Sequence, residues 1–510
     1  AYNSSRFTFG SINDPQFGTS IKSTSFTLVP IGDSLSFGEN VRIRQFHFTA
    51  ALDTVSTLYD NQSRIIQNVY VSELKAPLDT FTLYTGTFMN EANCEKYLNL
   101  ENRITAGIPV YDGGDSLSFD FSLEFAESLV QRLNKNYEIC DSMDLYLKSI
   151  PGIYITTDSP AAEGGRINMF DLPIESNSSG FITGNYAELK LTCDFGERKD
   201  VDTSFVFYFG PADFRDPAST ELPSQFAFNA CNNDSTTGDF IENWNNGPKD
   251  KLYIEGSGGI KPVITGKEIK EVVTKLLSDA GVIDFKEVVI NKATIILPYE
   301  MPADYKEMEK FPQVLSPTVR LRSEEGGYIT YAGLTDSSIA SEDQGDINRS
   351  TCRYTPDISH HVQQILNLED DKNLSNYDIW MLIMHDEVVE ENSSSSMYDD
   401  YYNNLLYSSY YNNMMYGGYG GYGGYGYGGY GYGGYGGYGG YGNYGYSNYY
   451  NYLMMAQYAS AYNSPSEKST IELDKDRYYR CYLNGPASST DIEDLPRLVV
   501  TFSAPKSAEE

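Results

Sequence analysis

Residues 41–50 read VRIRQFHFTA. Apolar and basic side chains alternate over the first part of this stretch, which is the period of a β-strand with one face buried and one in water. Similar short runs, rich in β-branched and aromatic residues and bounded by Gly, Asp, Asn or Pro, recur along the chain. They are STSFTLVPI at 23–31, NVYVSEL at 68–74, TFTLYTG at 80–86, AELKLTCDF at 187–195, SFVFYFG at 204–210, EVVINKATIIL at 287–297, DIWMLIM at 378–384 and RLVVTF at 497–502. The sequence therefore predicts a mainly β protein.

One hairpin and three helices are also indicated. VRLRSEEGGYITYAGL at 319–334 predicts a β-hairpin with Glu325, Gly326 and Gly327 in its turn. The strongest helix signal begins at Thr265, which forms the Thr-x-x-Glu pattern of a capping box, and Gly281 is a natural stop. The predicted apolar faces of the three helices are Phe125, Leu129, Val130 and Leu133; Ile269, Val272, Val273, Leu276 and Leu277; and Ile358, Val362, Ile365 and Leu366.

Many strands with a few helices predict antiparallel, jelly-roll-like β-sandwich domains, two in number. The predicted N-terminal sandwich covers 1–212, and a polar, turn-rich junction covers 213–250. The C-terminal sandwich combines 251–400 with 467–510, and an uncharged Tyr/Gly/Met-rich insertion at 401–466 interrupts it.

Composition excludes one class of partner. The 510-residue chain has a net charge of −33, so nucleic-acid phosphates would be repelled. No apolar run reaches the length of a membrane-spanning helix.

The six cysteines are widely spaced, which predicts small buried hydrophobic residues, with a Cys94–Cys140 disulfide as the alternative.

Motifs for catalysis are not found. The four histidines form no HExxH pattern, there is no GxSxG elbow, and His360 and His361 are predicted to be partly exposed residues of the third helix. EGSGGIKPVITGKE at 255–268 departs from the phosphate-loop pattern, so its glycines (256, 258 and 259) predict a bend with close backbone approach. We expect no enzymatic activity, no cofactor and no metal site.

The insertion is the most unusual segment. Its centre repeats Tyr and Gly between two similar flanks with paired apolar residues, and tyrosine offers apolar area together with a hydroxyl. One hypothesis is an interaction arm, and the alternative is a disordered loop that the fold tolerates. The candidate arm residues are Leu405, Leu406, Met414, Met415, Tyr416, Tyr425, Tyr435, Tyr446, Tyr452, Met454 and Met455.

Five separated blocks resemble a known family. They are GSINDPQFGTSIKS at 10–23, YIEGSGGIKPVI at 253–264, EVVINKATIILP at 287–298, YTPDISHHVQQIL at 354–366, and the ending RCYLNGP at 480–486 with PRLVVTF at 496–502. In this order and spacing they resemble the Bacteroidota lipoprotein family called domain of unknown function 4270. The resemblance covers nearly the whole chain except the insertion and its flanks.

The resemblance implies an exported lipoprotein, anchored in the outer membrane through a lipidated cysteine upstream of this chain and exposed at the cell surface. The implied partner is an outer-membrane β-barrel protein or another lipoprotein of the same complex, with the extracellular part of the β-barrel assembly machinery as the first candidate. The family offers no catalytic motif to transfer.

Two further expectations depend on an exported chain. Asp-Ser/Thr followed by an apolar residue or Thr resembles the O-glycosylation acceptor of Bacteroidota, and it places candidate sites at Ser34, Thr54, Ser116, Ser142 and Ser235. The alternative function is a glycan-binding surface module, for which Trp244 and Trp380 are the strongest stacking residues. Trp380 lies in an apolar strand, which predicts a core position instead.

Overall fold

The computed structural model describes most of the predicted strands. The described residues are 2–31, 35–53, 65–77, 96–135, 139, 142–176, 182–210, 225, 227–234, 249–257, 259–322, 329–334, 345–389 and 468–504. The predicted strand at 80–86 and the insertion at 401–466 lie outside these residues.

The prediction of a mainly β, antiparallel fold with a few helices is confirmed. The described residues before position 250 form fifteen strands and two helices. They are β1 (Tyr2–Ser4), β2 (Arg6–Asp14), β3 (Gly18–Pro30), β4 (Glu39–Ala51), β5 (Gln67–Asn68), β6 (Tyr70–Glu73), β7 (Val110–Tyr111), β8 (Ser116–Asp120), α1 (Leu123–Lys135), α2 (Met143–Ser149), β9 (Ile153–Thr156), β10 (Gly164–Asp171), β11 (Ile174–Ser176), β12 (Ile182–Gly184), β13 (Tyr186–Phe195), β14 (Arg198–Gly210) and β15 (Ala227–Asp234).

The described residues from 251 onward form eleven strands and two helices. They are β16 (Lys251–Glu255), β17 (Val263–Ile264), α3 (Gly266–Asp279), β18 (Val289–Pro298), β19 (Val314–Arg322), β20 (Ile329–Gly333), β21 (Ile347–Asn348), β22 (Arg353–Tyr354), α4 (Ser359–Leu366), β23 (Ile379–Val389), β24 (Lys468–Leu473), β25 (Arg480–Asn484) and β26 (Arg497–Ser503). Short 3-10 helices lie at Phe285–Glu287, Tyr305–Lys310, Leu374–Tyr377 and Ile492–Asp494.

Strand β3 connects the strands that precede residue 250, which we call the first group. It pairs with β2 and β15 over its first half, and with β14 from Thr27 to Pro30. One 11-stranded sheet, curled into a half-barrel, results from this change of neighbours. Phenylalanine rings pack inside the curl: the Phe48 ring lies 4.5 Å from Phe119 and 4.8 Å from Phe209 between centroids. Strand β4 buries Phe46 and Phe48 and leaves its arginines exposed, as alternation predicts.

The predicted helical face on α1 is also confirmed. Phe125, Leu129, Val130 and Leu133 are buried in the same cluster as the Phe48 ring.

The second group consists of three sheets and two packed helices. The sheets have the orders β17-β23-β19-β20 (with β24 beside β23), β21-β22-β18-β26 and β16-β25. The predicted hairpin is confirmed by the antiparallel pairing of β19 with β20, and its turn lies outside the described residues. The predicted face of α4 is buried throughout: Ile358, Val362, Ile365 and Leu366.

Helix α3 confirms its predicted caps and corrects part of its predicted face. The Thr265 hydroxyl accepts from the Glu268 amide and the Glu268 carboxylate accepts from the Thr265 amide, which is the capping box. Gly281 has φ +82° and ends the helix, as predicted. Val272, however, is 52% exposed, because the buried stripe is narrower than the apolar one and consists of Ile269, Val273 and Leu277.

His361 corrects a second prediction, since it is buried rather than partly exposed. Its Nε2–H donates to the Tyr377 carbonyl at 2.9 Å. Burial lowers the pKa of His361 to about 4, because the charged imidazolium would lose its hydration.

The two groups of strands meet across a set of buried polar residues. Tyr478 Oη donates to the Glu255 carboxylate at 2.5 Å, and Ser20 Oγ of β3 donates to the same oxygen at 2.9 Å. Lys22 Nζ donates to the Ser257 carbonyl at 2.8 Å. We call Ser20, Lys22, Glu255, Ser257 and Tyr478 the buried polar cluster.

The described residues form two large apolar clusters, one drawn from residues 7–227 and one from 254–483. The boundaries of the two predicted domains remain a prediction.

Candidate interaction surface

Strands β5 and β7 form a short ribbon that turns aliphatic side chains outward. Asn68 pairs with Val110 and Gln67 pairs with Tyr111. Successive side chains of a strand point to opposite faces, so Gln67 and Tyr111 point inward, where both are buried. On the outward face of β7, Val110 is 55% exposed, and Ile66 and Ile108, which flank the two strands, are 65% and 51% exposed. We call Ile66, Ile108 and Val110 the apolar ribbon.

A fully buried arginine holds the ribbon backbone against the main sheet. Arg166, on β10, donates from Nη2 to the Ile65 carbonyl at 2.6 Å and to the Tyr111 carbonyl at 3.3 Å. Its Nη1 donates to the Asp112 carbonyl at 3.0 Å. Burial lowers the pKa of Arg166 from its ordinary value, because the charged guanidinium is desolvated. The carbonyl dipoles of both ribbon strands converge on this one cation and so restrain both strands.

Tyr111 anchors the inner face of the ribbon in the aromatic core. Its ring packs edge-on against Phe170, with 5.4 Å between centroids, and its hydroxyl donates to the Gly114 carbonyl at 2.8 Å. Burial raises the pKa of Tyr111 to about 12. Gln67 Nε2 donates to the Arg166 carbonyl at 2.8 Å. The ribbon is therefore a preorganised platform, since its inward side chains are already fixed.

Polar side chains flank the apolar ribbon. Asn68 Nδ2 donates to Asp158 Oδ2 at 2.9 Å, and the Tyr70 hydroxyl donates to the same carboxylate. The Asp158 hydrogen bond is the main reason why the pKa of Tyr70 is raised. The Arg103 guanidinium lies 4.2 Å from the centroid of the Tyr70 ring. Aliphatic side chains beside aromatic, arginine and carboxylate groups resemble the apolar centre and polar rim of protein–protein interfaces.

Sequence reasoning missed this surface. It identified NVYVSEL as a strand but assigned no role to Ile66 or to the IPV segment at 108–110. Two-residue strands carry almost no periodic signal, and the pairing of β5 with β7 joins segments about 40 residues apart. The adjacent Ile65 and Ile66, of which strand alternation can bury only one, were the available clue.

A second aromatic surface lies on the sheet that contains β19, β20 and β23. Trp380 is half-buried, not a core residue as predicted, because it points away from the side on which Ile379 and Met381 are buried. The Tyr331 ring lies 6.1 Å from the Trp380 ring, and the Arg320 guanidinium lies 4.6 Å from the Trp380 centroid. This face could stack a flat ligand, although Arg320 already covers the indole.

A polar groove of 510 Å³ lies between β18 and the segment after β25. Glu300, Arg353, Glu493 and Asp494 are among its lining residues. Neither it nor any other part of the described chain brings together three or more His, Cys, Asp or Glu residues that could hold a metal ion. Within the same residues, no helix has the length and apolar character needed to cross a membrane.

The predicted site residues fall mostly outside the described chain. All eleven candidate arm residues, the candidate glycosylation residues Ser34, Thr54 and Ser235, and Trp244 lie there. Ser116 is exposed at the start of β8, and Ser142 is half-buried just before α2. The structure does not bring these two residues together with the apolar ribbon.

The described residues test the cysteine predictions only in part. Cys94 and Cys140 lie outside the described residues. Among the described cysteines, Cys193 and Cys481 are buried, as expected of small hydrophobic residues, and Cys231 and Cys352 are half-buried with free thiols.

No protein-family model, curated protein or solved structure matches the chain.

Proposed function

We propose that this protein is a non-enzymatic, surface-exposed lipoprotein that serves as an interaction subunit of an outer-membrane protein complex. The observation that carries the proposal is the apolar ribbon: three aliphatic side chains in water on a backbone that a buried arginine restrains. The complex that we propose first is the β-barrel assembly machinery, with this protein in its extracellular part. That choice and the lipid anchor rest on the family resemblance.

The energetics favour binding through the ribbon. Fully burying one aliphatic side chain contributes about 1.5–3 kcal/mol, so burial of all three would supply a substantial share of a specific interaction. Association usually costs free energy for ordering the contact region. The contacts of Arg166 and Tyr111 reduce that cost, because the ribbon is ordered before any partner arrives.

The proposed partner is an outer-membrane β-barrel protein, whose extracellular rim would receive the apolar ribbon. In this proposal the Tyr/Gly/Met-rich insertion at 401–466 provides a second contact, and it lies outside the described residues. Two separate contacts on one chain would raise the overall affinity through effective concentration.

Affinity purification of the full chain from native membranes, followed by mass spectrometry, tests the proposal. We expect an outer-membrane β-barrel protein to be recovered in stoichiometric amounts. Recovery of the protein as a monomer, with no β-barrel protein, would overturn the proposed function.

A glycan-binding module is the second candidate, because Trp380 and Tyr331 form an outward aromatic pair. A sugar stacked on Trp380 must displace the Arg320 guanidinium, which weighs against this candidate. A glycan array with the purified chain decides it: binding that Trp380→Ala abolishes would support the module, and an empty array would remove it.

A further inference from the structure

Lys22 and Cys231 face each other across the β3–β15 pair. The two residues are directly opposite in the antiparallel register. Lys22 Nζ lies 2.5 Å from Cys231 Sγ, and the Lys22 side chain is fully buried. Cys231 itself is half-buried, so a small molecule such as dioxygen can reach the sulfur. The pair therefore combines a fixed amine, a free thiol and access for an oxidant.

The other described cysteines have different surroundings. Cys193 and Cys352 each donate to a backbone carbonyl, at 3.9 and 3.7 Å. Burial is the cause of the raised pKa of Cys481, which opposes thiolate formation there. Cys231 is the described cysteine whose sulfur lies against a lysine nitrogen, and its own S–H donates to Asn233 Oδ1 at 3.0 Å.

We propose that Lys22 and Cys231 are the site of an oxidative cross-link, in which one oxygen atom bridges the lysine nitrogen and the cysteine sulfur. The reaction consumes the neutral amine, the thiol and one molecule of dioxygen. An N–H bond, the S–H bond and the O–O bond break, and an N–O bond and an O–S bond form. The second oxygen leaves as water with the two hydrogens. Nitrogen and sulfur each lose two electrons, and dioxygen accepts all four.

A second lysine lies near Lys22. Lys261 lies in the same region, and its pKa is lowered to about 8 by burial and by the positive charge of Lys22, with Glu255 acting in the opposite direction. Two ammonium groups thus repel each other in a poorly solvated region. The bridged nitrogen carries no positive charge, so the cross-link relieves this repulsion.

The cross-link would also change the buried polar cluster. Lys22 Nζ donates to the Ser257 carbonyl and so connects β3 to the loop that follows β16. A bridged nitrogen keeps at most one N–H and no charge, which weakens this hydrogen bond. Oxidation would therefore fasten β3 to β15 while it loosens the contact between the two groups of strands.

Intact-mass measurement and peptide mapping of the full chain test the proposal. The chain is purified under reducing conditions, exposed to air-saturated buffer, and digested without reductant. We expect a mass gain of about 14 Da, located in a peptide pair that joins Lys22 to Cys231 and released by dithiothreitol. Cys231→Ser should abolish the gain, whereas Cys352→Ser, at the other described half-buried cysteine, should keep it.

Three results would overturn the proposal. One is a Cys231 that is fully alkylated by iodoacetamide after oxidation. Another is a gain of about 32 Da on Cys231 alone, which marks a sulfinic acid. The third is a gain of about 14 Da that persists in Cys231→Ser. Since the wild-type map is decisive by itself, poor folding of Cys231→Ser leaves the test intact.

Discussion

The apolar ribbon leaves apolar side chains in water, whereas the buried polar cluster removes ionisable side chains from water. At the ribbon, Ile66, Ile108 and Val110 stay in solvent although their backbone is firmly held. In the cluster, Lys22 and Glu255 leave solvent although both are ionisable. The cluster satisfies its polar groups within the chain, through Ser20, Ser257 and Tyr478. The ribbon can lose its apolar exposure only by binding another molecule, which is why it is our candidate interaction surface.

Removing the acid of the cluster should have the largest effect. Glu255→Ala leaves the Tyr478 and Ser20 hydroxyls without their buried acceptor, so we expect the free energy of unfolding to fall by about 3–5 kcal/mol. Chemical denaturation measures the change. Glu197→Ala, at an exposed turn, is the control and should change little. A small effect of Glu255→Ala would mean that the cluster does not hold the fold.

A fall in pH should destabilise the protein through another buried polar residue, His361. Its pKa of about 4 lies below the ordinary 6.5, so the unfolded chain takes up the proton first as pH falls. Stability is therefore lost from about pH 6.5 down to pH 4, by about 3 kcal/mol at pH 4. Denaturation at a series of pH values should show a shallower loss in His361→Gln. The same slope in both proteins would contradict the buried, neutral imidazole.

Charge on the apolar ribbon should affect binding and leave folding intact. Val110→Asp places a carboxylate where the side chain already meets water, so the unfolding free energy should change by no more than about 0.5 kcal/mol. Affinity for the membrane partner should fall by about 2 kcal/mol or more, roughly 30-fold, because the carboxylate would be desolvated in the complex. Chemical denaturation measures the unfolding free energy, and titration with the purified partner measures the affinity. Unfolding of Val110→Asp would show that the ribbon belongs to the core.

Substitution of an exposed aliphatic residue outside the apolar ribbon should have the smallest effect on stability and binding. Val272 is 52% exposed on α3. Val272→Ala should raise the unfolding free energy by about 0.5 kcal/mol, because alanine has the higher helix propensity. It should not change partner binding. A large loss of stability would mean that Val272 packs more extensively than its exposure indicates.

Local features of this fold were readable from the sequence. Alternation predicted β4, the Thr265–Glu268 pattern predicted the start of α3, and Gly281 predicted its end. The close backbone approach predicted after β16 is confirmed at Gly256, where a Cβ would lie 2.5 Å from the Arg477 carbonyl, and Gly258 lies outside the described residues. Each of these features depends on residues close together in the chain.

The features that were missed depend on distant partners. Glu255 looks like an ordinary acid in a loop until Tyr478, more than 200 residues later, is placed beside it. His361 and Trp380 were assigned to the wrong environments, because one turn of a helix or one face of a strand is buried only where a neighbouring element covers it. The apolar ribbon required both a long-range pairing and a buried arginine from a third strand.

The most direct test of the central claim compares two triple variants in the source cell. The ribbon variant carries Ile66→Asp, Ile108→Asp and Val110→Asp, and the matched control carries Ile283→Asp, Val289→Asp and Val499→Asp at other exposed aliphatic residues. Both are purified from native membranes, and the amount of co-purified outer-membrane β-barrel protein is measured. We expect the control to retain this partner and the ribbon variant, although folded, to lose it. Equal recovery of the partner by both variants would contradict the proposed role of the apolar ribbon.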